Sequence, residues 1–79
     1  MQNVIKTTVS NRYVTATWQT GTIKHKVRFG NDNQNWEGQH SHAAEQILSQ
    51  VDTESVYTII GRGYLGDGTA TAVHVVARR

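Results

Sequence analysis

The stretch Thr22-Ile23-Lys24-His25-Lys26-Val27-Arg28-Phe29 decides how this chain is read. Ile23, His25, Val27 and Phe29 alternate with Thr22, Lys24, Lys26 and Arg28, the period of two that a β-strand with one buried and one wet face requires. Upstream, Val14, Ala16 and Trp18 alternate with Tyr13, Thr15 and Thr17, and the break Gln19-Thr20-Gly21 lets this second segment fold back on the first. Val4 to Ser10, closed by Asn11-Arg12, reads as a further strand. The first thirty residues therefore form a three-stranded antiparallel meander. Val, Ile and Thr supply 24 of the 79 residues, which fits a chain dominated by sheet, because β-branched side chains suit a pleated, half-buried surface.

Downstream of Phe29 the pattern changes. Asn31, Asp32, Asn33, Gln34, Asn35 and Gly38 compete for backbone hydrogen bonds, so Gly30 to Gln39 reads as a polar loop with Trp36 embedded in it. Ser41 then opens a helix as its N-cap, with Ala43, Ala44, Ile47, Leu48 and Val51 on one stripe and Glu45, Gln46, Ser49 and Gln50 opposite. Full burial of Ile47, Leu48 and Val51 contributes about 5–9 kcal/mol gross, so packing on the sheet makes this helix rather than intrinsic propensity. The strand pattern returns at Val56 to Ile60 and at Thr69 to Ala77, with Asp67-Gly68 as the hairpin turn. A two-residue turn there sets Leu65 opposite Ala70, Gly63 opposite Ala72, Gly61 opposite His74 and Ile59 opposite Val76. The order is βββαββ: an α+β fold in one domain, residues 1–79, with a single antiparallel sheet of four to five strands and one helix packed on one face.

Composition narrows the function classes. The chain has no cysteine, which excludes disulfide scaffolds and cysteine zinc sites. It has no apolar run approaching a membrane span, and Met1 to Val9 lacks the apolar core of a signal peptide, so the expected setting is cytoplasmic. Charge is strongly segregated within a net +2: residues 1–30 carry Lys6, Arg12, Lys24, Lys26 and Arg28 and no acid. Residues 31–55 carry Asp32, Glu37, Glu45, Asp52 and Glu54 and no Lys or Arg. Lys24, Lys26 and Arg28 share the wet side of one strand at a spacing of about 6.8 Å, close to that of successive phosphates on one nucleic-acid strand. Such a row suits phosphates or an acidic protein surface, and it also suits a solvated strand whose lysines deter edge pairing.

Catalytic and metal motifs fail on context. Gly61-Arg62-Gly63-Tyr64-Leu65-Gly66 matches the dinucleotide fingerprint, yet a strand follows it where the fingerprint needs a helix N-terminus. His40, His42, Glu37 and Glu45, with His25 or His74 from the sheet, offer metal donors without a helical i, i+4 ligand pair. His42 is expected at the surface in the first helical turn, with His25 and His74 as partly buried partners for local hydrogen bonds. The Asn31 to Asn35 run lacks the closing Glu of a calcium loop. No nucleophile elbow is present, and a carboxylate pair would need Glu37, Glu45, Asp52 or Glu54 to converge in a cleft for which a single-sheet domain of this size has little room, so no catalytic residue, metal or cofactor is expected.

In size and βββαββ order the whole chain resembles the small phage-encoded inhibitors of the anti-CRISPR type. That resemblance implies a stoichiometric binder that occupies a surface of a bacterial protein or nucleoprotein machine in the host cytoplasm. Many such proteins mimic nucleic acid with an acidic surface, a part that only residues 31–55 could play here. The expected partner-binding residues are Lys24, Lys26, Arg28 and Arg62, the acids Glu37 and Glu45, and the anchors Trp36, Tyr57 and Tyr64. The alternative is a nucleic-acid-binding module using Lys24, Lys26 and Arg28. A membrane is not an expected partner, and an exposed edge strand, the first or the last, is the candidate for homodimerisation.

Overall fold

The computed structural model describes residues 4–31, 36–66 and 68–79, apart from the side chains of Trp36 and Glu37. Three strands, β1 (Val4–Val9), β2 (Tyr13–Thr20) and β3 (Ile23–Gly30), precede helix α1 (Trp36–Val51), and β4 (Tyr57–Tyr64) and β5 (Thr71–Arg78) follow it. All five strands join one antiparallel sheet in the order β3-β2-β1-β5-β4. The α+β reading and the βββαββ order hold. No helix among the described residues is long and apolar enough to cross a membrane.

The first and last strands are not edges, contrary to the expectation from sequence. β5 docks on β1 from Val4 opposite Val75 to Thr8 opposite Thr71, which puts both inside the sheet and leaves β3 and β4 as its borders. The cause is long-range: α1 carries the chain from one border to the other, and β5 then returns to the free side of β1. Sequence alternation identifies strands but not this choice of neighbour.

The period of two sends Ile5 and Val9 from β1, Val14, Ala16 and Trp18 from β2, and Val76 from β5 to one side, where they are buried with Ala43, Ala44, Ile47 and Leu48 of α1. Val27, Phe29, Val51, Tyr57 and Ile59 pack around that core. The helix begins at Trp36, not at Ser41. Gln39 and His40, each only 1% exposed, occupy the turn before Ala43 and Ala44. Polar residues thus hold core-facing helical positions, which disguises the first part of the amphipathic stripe as loop. Ser41 is consequently an interior helical residue, and residues 32–35 of the expected loop lie outside the described set.

Asp52 stops the helix and aims the next strand. Its amide donates to the Leu48 carbonyl, while its carboxylate accepts from the amides of Val56 (3.0 Å) and Tyr57 (2.7 Å). Ser55, with φ of 56°, makes the left-handed step between them.

The β4–β5 register also differs from expectation. Ile59 does face Val76, but Gly61 faces Val75, Arg62 faces His74 and Gly63 faces Val73, because a bulge lies between Ile59 and Gly61. One extra residue shifts everything beyond it by one position and exchanges the two sides of the sheet. The Leu65 amide closes the strand end on the Thr71 carbonyl at 2.9 Å, so the connection is longer than two residues. Asp67 of the expected turn lies outside the described residues.

Candidate functional site

The helix covers one side of the sheet, and among the described residues nothing packs on the other, the open side. On the open side the registers align side chains in rows that cross the strands. One row runs Gly63, Val73, Lys6, Thr17, Lys26 through all five strands. The next begins Gly61, Val75, Val4 and continues into Gln19 and Lys24, and a third joins Thr71, Thr8, Thr15 and Arg28. Each row ends in a cation on β3. Lys6, Lys24, Lys26 and Arg28 are all exposed, and Lys6 stands about 10 Å from Lys26, two strand spacings away.

The described acids, Glu45, Asp52 and Glu54, lie on α1 and in the turn after it, so the open face has four cations and no acid among the described residues. The Arg28 guanidinium lies 3.7 Å from the centre of the Tyr13 ring, a cation–π contact that fixes the arginine at one corner of the face. A shallow depression of about 290 Å³ lies mid-face between Val4, Lys6, Thr17, Gln19, Lys24 and Val73.

The structure divides the residues expected to bind partners. Lys24, Lys26 and Arg28 share the open face as expected. Tyr57, Arg62 and Tyr64 belong to the helix side: Tyr57 meets Trp18 edge-on at 5.8 Å, Tyr64 meets the His40 ring at 5.6 Å, and Arg62 donates to Ser41 Oγ. Glu45 is exposed on α1, and the side chains of Trp36 and Glu37 lie outside the described set. These residues do not form one contiguous site with the β3 cations. Lys6, absent from the expected set, does join them.

A buried polar cluster sits behind the face. His40 Nε2 donates to the Thr69 carbonyl at 2.6 Å, and in the tautomer that this bond selects Nδ1 accepts the Thr7 hydroxyl at 2.7 Å. The Thr7 oxygen in turn accepts from His74 Nε2 at 2.9 Å. His74 Nδ1 is then a buried acceptor without a partner. Thr7 and His74 are fully buried, and His40 nearly so. Burial above all, then the positive charge of Arg62 and the electrostatic effect of the neighbouring His40, pushes the His74 pKa down to about 4, so its ring is neutral at pH 7.

His74 is thus more deeply buried than expected. His25 behaves as expected, half-buried and bonded to the Thr20 hydroxyl at 2.8 Å. His42 is exposed mid-helix and meets Phe29 edge-on at 5.2 Å. Chemically, the cluster links α1, β1 and β5 but offers no reacting atom to a substrate, since Thr7 is inaccessible. The signal that could have found it is phase: Thr7 falls between Ile5 and Val9, and His74 between Ala72 and Val76, each in the inward register of its strand.

No family model matches the sequence, and neither a curated protein nor a solved structure matches it.

Proposed function

We propose that this chain is a non-catalytic binding protein, a stoichiometric inhibitor that lays the open face of its sheet on an acidic surface of a protein or nucleoprotein partner. One observation carries the reading: Lys6, Lys24, Lys26 and Arg28 share one face without an acid among the described residues, while Glu45, Asp52 and Glu54 belong to the opposite layer. A face of this kind steers and orients an anionic partner.

The composition of the face favours a protein over bare nucleic acid. Tyr13 is its aromatic residue among those described, and Arg28 already stacks on one side of that ring, which leaves a single half-covered platform where a nucleic-acid site would offer several. Val73, Val75 and Val4 instead supply apolar surface beside the cations, as a protein interface requires.

The test is capture from a bacterial lysate at moderate salt, with Lys24, Lys26 and Arg28 changed together to Glu in one variant and Glu45 changed to Lys in another. Loss of a stoichiometric partner with the first variant alone supports the open face. Loss with the second alone moves the interface to the acidic helix. Tight binding of oligonucleotides that weakens steeply with salt, without a protein partner, replaces this reading with the nucleic-acid one.

A further inference from the structure

Gly61 and Gly63 of β4 have no use inside the described chain. A Cβ built on either meets nothing within 4 Å, and neither has the positive φ that Gly21 and Gly66 adopt. The bulge beside Gly61 does not require the glycine either, because its backbone there is one that other residues adopt. Glycine in a strand interior weakens the strand, so the remaining physical use of two bare positions is close approach by a group from outside. Both glycines lie level with Val75 and Val73 on the open face, and Val75 is 39% exposed. Bare backbone flanked by valines makes an apolar floor without protruding side chains.

We infer that the strip over Gly61 and Gly63 seats an aromatic or large aliphatic side chain of an acidic protein segment, whose carboxylates continue across the face to Lys6 and to the cations of β3. This rests on the reading of the open face as the interface and names what the partner presents to it. Charge complementarity selects an acidic segment, and the row Gly63, Val73, Lys6, Thr17, Lys26 sets its length. From β4 to β1 is about 10 Å and from β4 to β3 about 19 Å, spans that roughly three and six extended residues cover. The motif is an apolar anchor with an acid about three residues away and further acids about five or six residues away.

The experiment uses three blocked eight-residue peptides. The first begins with tryptophan and carries glutamate at its fourth, sixth and seventh positions, with glycine elsewhere. The second has glycine for the tryptophan, and the third has lysine for each glutamate. Affinity is read by titration and location by amide chemical shifts. We expect the first peptide to bind at least about 10-fold tighter than the second, a difference one seated aromatic side chain can supply. It should move the amide signals of Gly61, Gly63, Val73 and Val75, and the third should not bind.

Gly63→Val should remove the advantage of the first peptide over the second while the melting temperature stays equal or rises, since valine favours a strand and has room there. Changing Lys24, Lys26 and Arg28 to Glu should weaken both acidic peptides. If both bind equally well, or Gly63→Val leaves the advantage intact, the anchor seat is refuted and the open face stands. If neither acidic peptide binds, or the lysine peptide binds as well, the reading of the open face falls and this inference with it.

Discussion

Replacing Thr7 with Val keeps the shape of the side chain and removes the one hydroxyl that serves two buried imidazoles. In the wild type that hydroxyl donates to His40 Nδ1 and accepts from His74 Nε2. In the variant both ring nitrogens lose their partners inside the protein, and His74 Nδ1 already has none. A buried polar group left unsatisfied costs about 1–3 kcal/mol, so with two of them the substitution should cost about 2–6 kcal/mol. At roughly 0.05–0.15 kcal/mol per residue, a domain of this size has about 4–12 kcal/mol of stability to lose.

The cluster also makes stability depend on pH with a definite sign. The folded pKa of His74, about 4, lies below its ordinary 6.5, so the folded state resists protonation that the unfolded chain accepts. The stability this contributes is fully present above pH 6.5 and disappears as pH falls to 4. The gap corresponds to about 3 kcal/mol, or close to 1.4 kcal/mol per pH unit across that window. Urea unfolding followed by the fluorescence of buried Trp18, from pH 7.5 down to pH 4, measures both effects. Subtracting the same series for His74→Leu cancels the carboxylates and the other histidines. A difference curve that is flat between pH 6.5 and 4.5, or a Thr7→Val cost below about 0.5 kcal/mol at pH 7.5, would refute the assigned network.

Three further outcomes are expected. Leu48→Ala should destabilise by about 2–4 kcal/mol in the same unfolding assay, because Leu48 is buried in the contact between helix and sheet. Asp52→Ala should cost about 1–3 kcal/mol, since it frees the amides of Val56 and Tyr57, and hydrogen exchange at those two amides should accelerate. Ser41→Ala should cost less than about 0.5 kcal/mol, because inside a helix that starts at Trp36 it is not a cap and the bond it accepts from Arg62 is exposed; a loss near 1 kcal/mol that persists in an Arg62→Ala background would return the helix start to Ser41.

What could be read from sequence, and what could not, follows from the range of the forces involved. The inward and outward sides of β3 are a local property of alternating residues, so Lys24, Lys26 and Arg28 fall on one face whatever the rest of the chain does. Membership of Lys6 in that face depends on β1 pairing with β2 in one particular register, which residues far apart decide. The extra residue at Ile60 has no turn signal of its own, yet it moves Gly61 and Gly63 level with Val75 and Val73 and puts Arg62 beside His74. The early helical turn was hidden for a different reason. Gln39 is satisfied by Asn31 Oδ1 and His40 by Thr7 and Thr69, so each can occupy a core position that a hydrophobic pattern reserves for apolar side chains.

The buried cluster and the open face are two sides of the same strands. Thr7 points inward between Lys6 and Thr8, which point outward, and His74 points inward between Val73 and Val75. Bonds from Thr7 to both histidines, and from His40 to the Thr69 carbonyl just before β5, therefore fix β1, β5 and α1 at the centre of the sheet. That is where the apolar half of the open face meets its basic half. An interface made of one row per strand loses affinity when the strands slide or splay, because each displaced row must be reordered on binding. A hydrogen-bonded polar cluster resists such sliding more sharply than apolar packing does, since its bonds tolerate little displacement. His40, one of the two polar residues that obscured the helix in the sequence, thus joins Thr7 and His74 in holding the Lys6 and Val73 row in register for a partner on the other side.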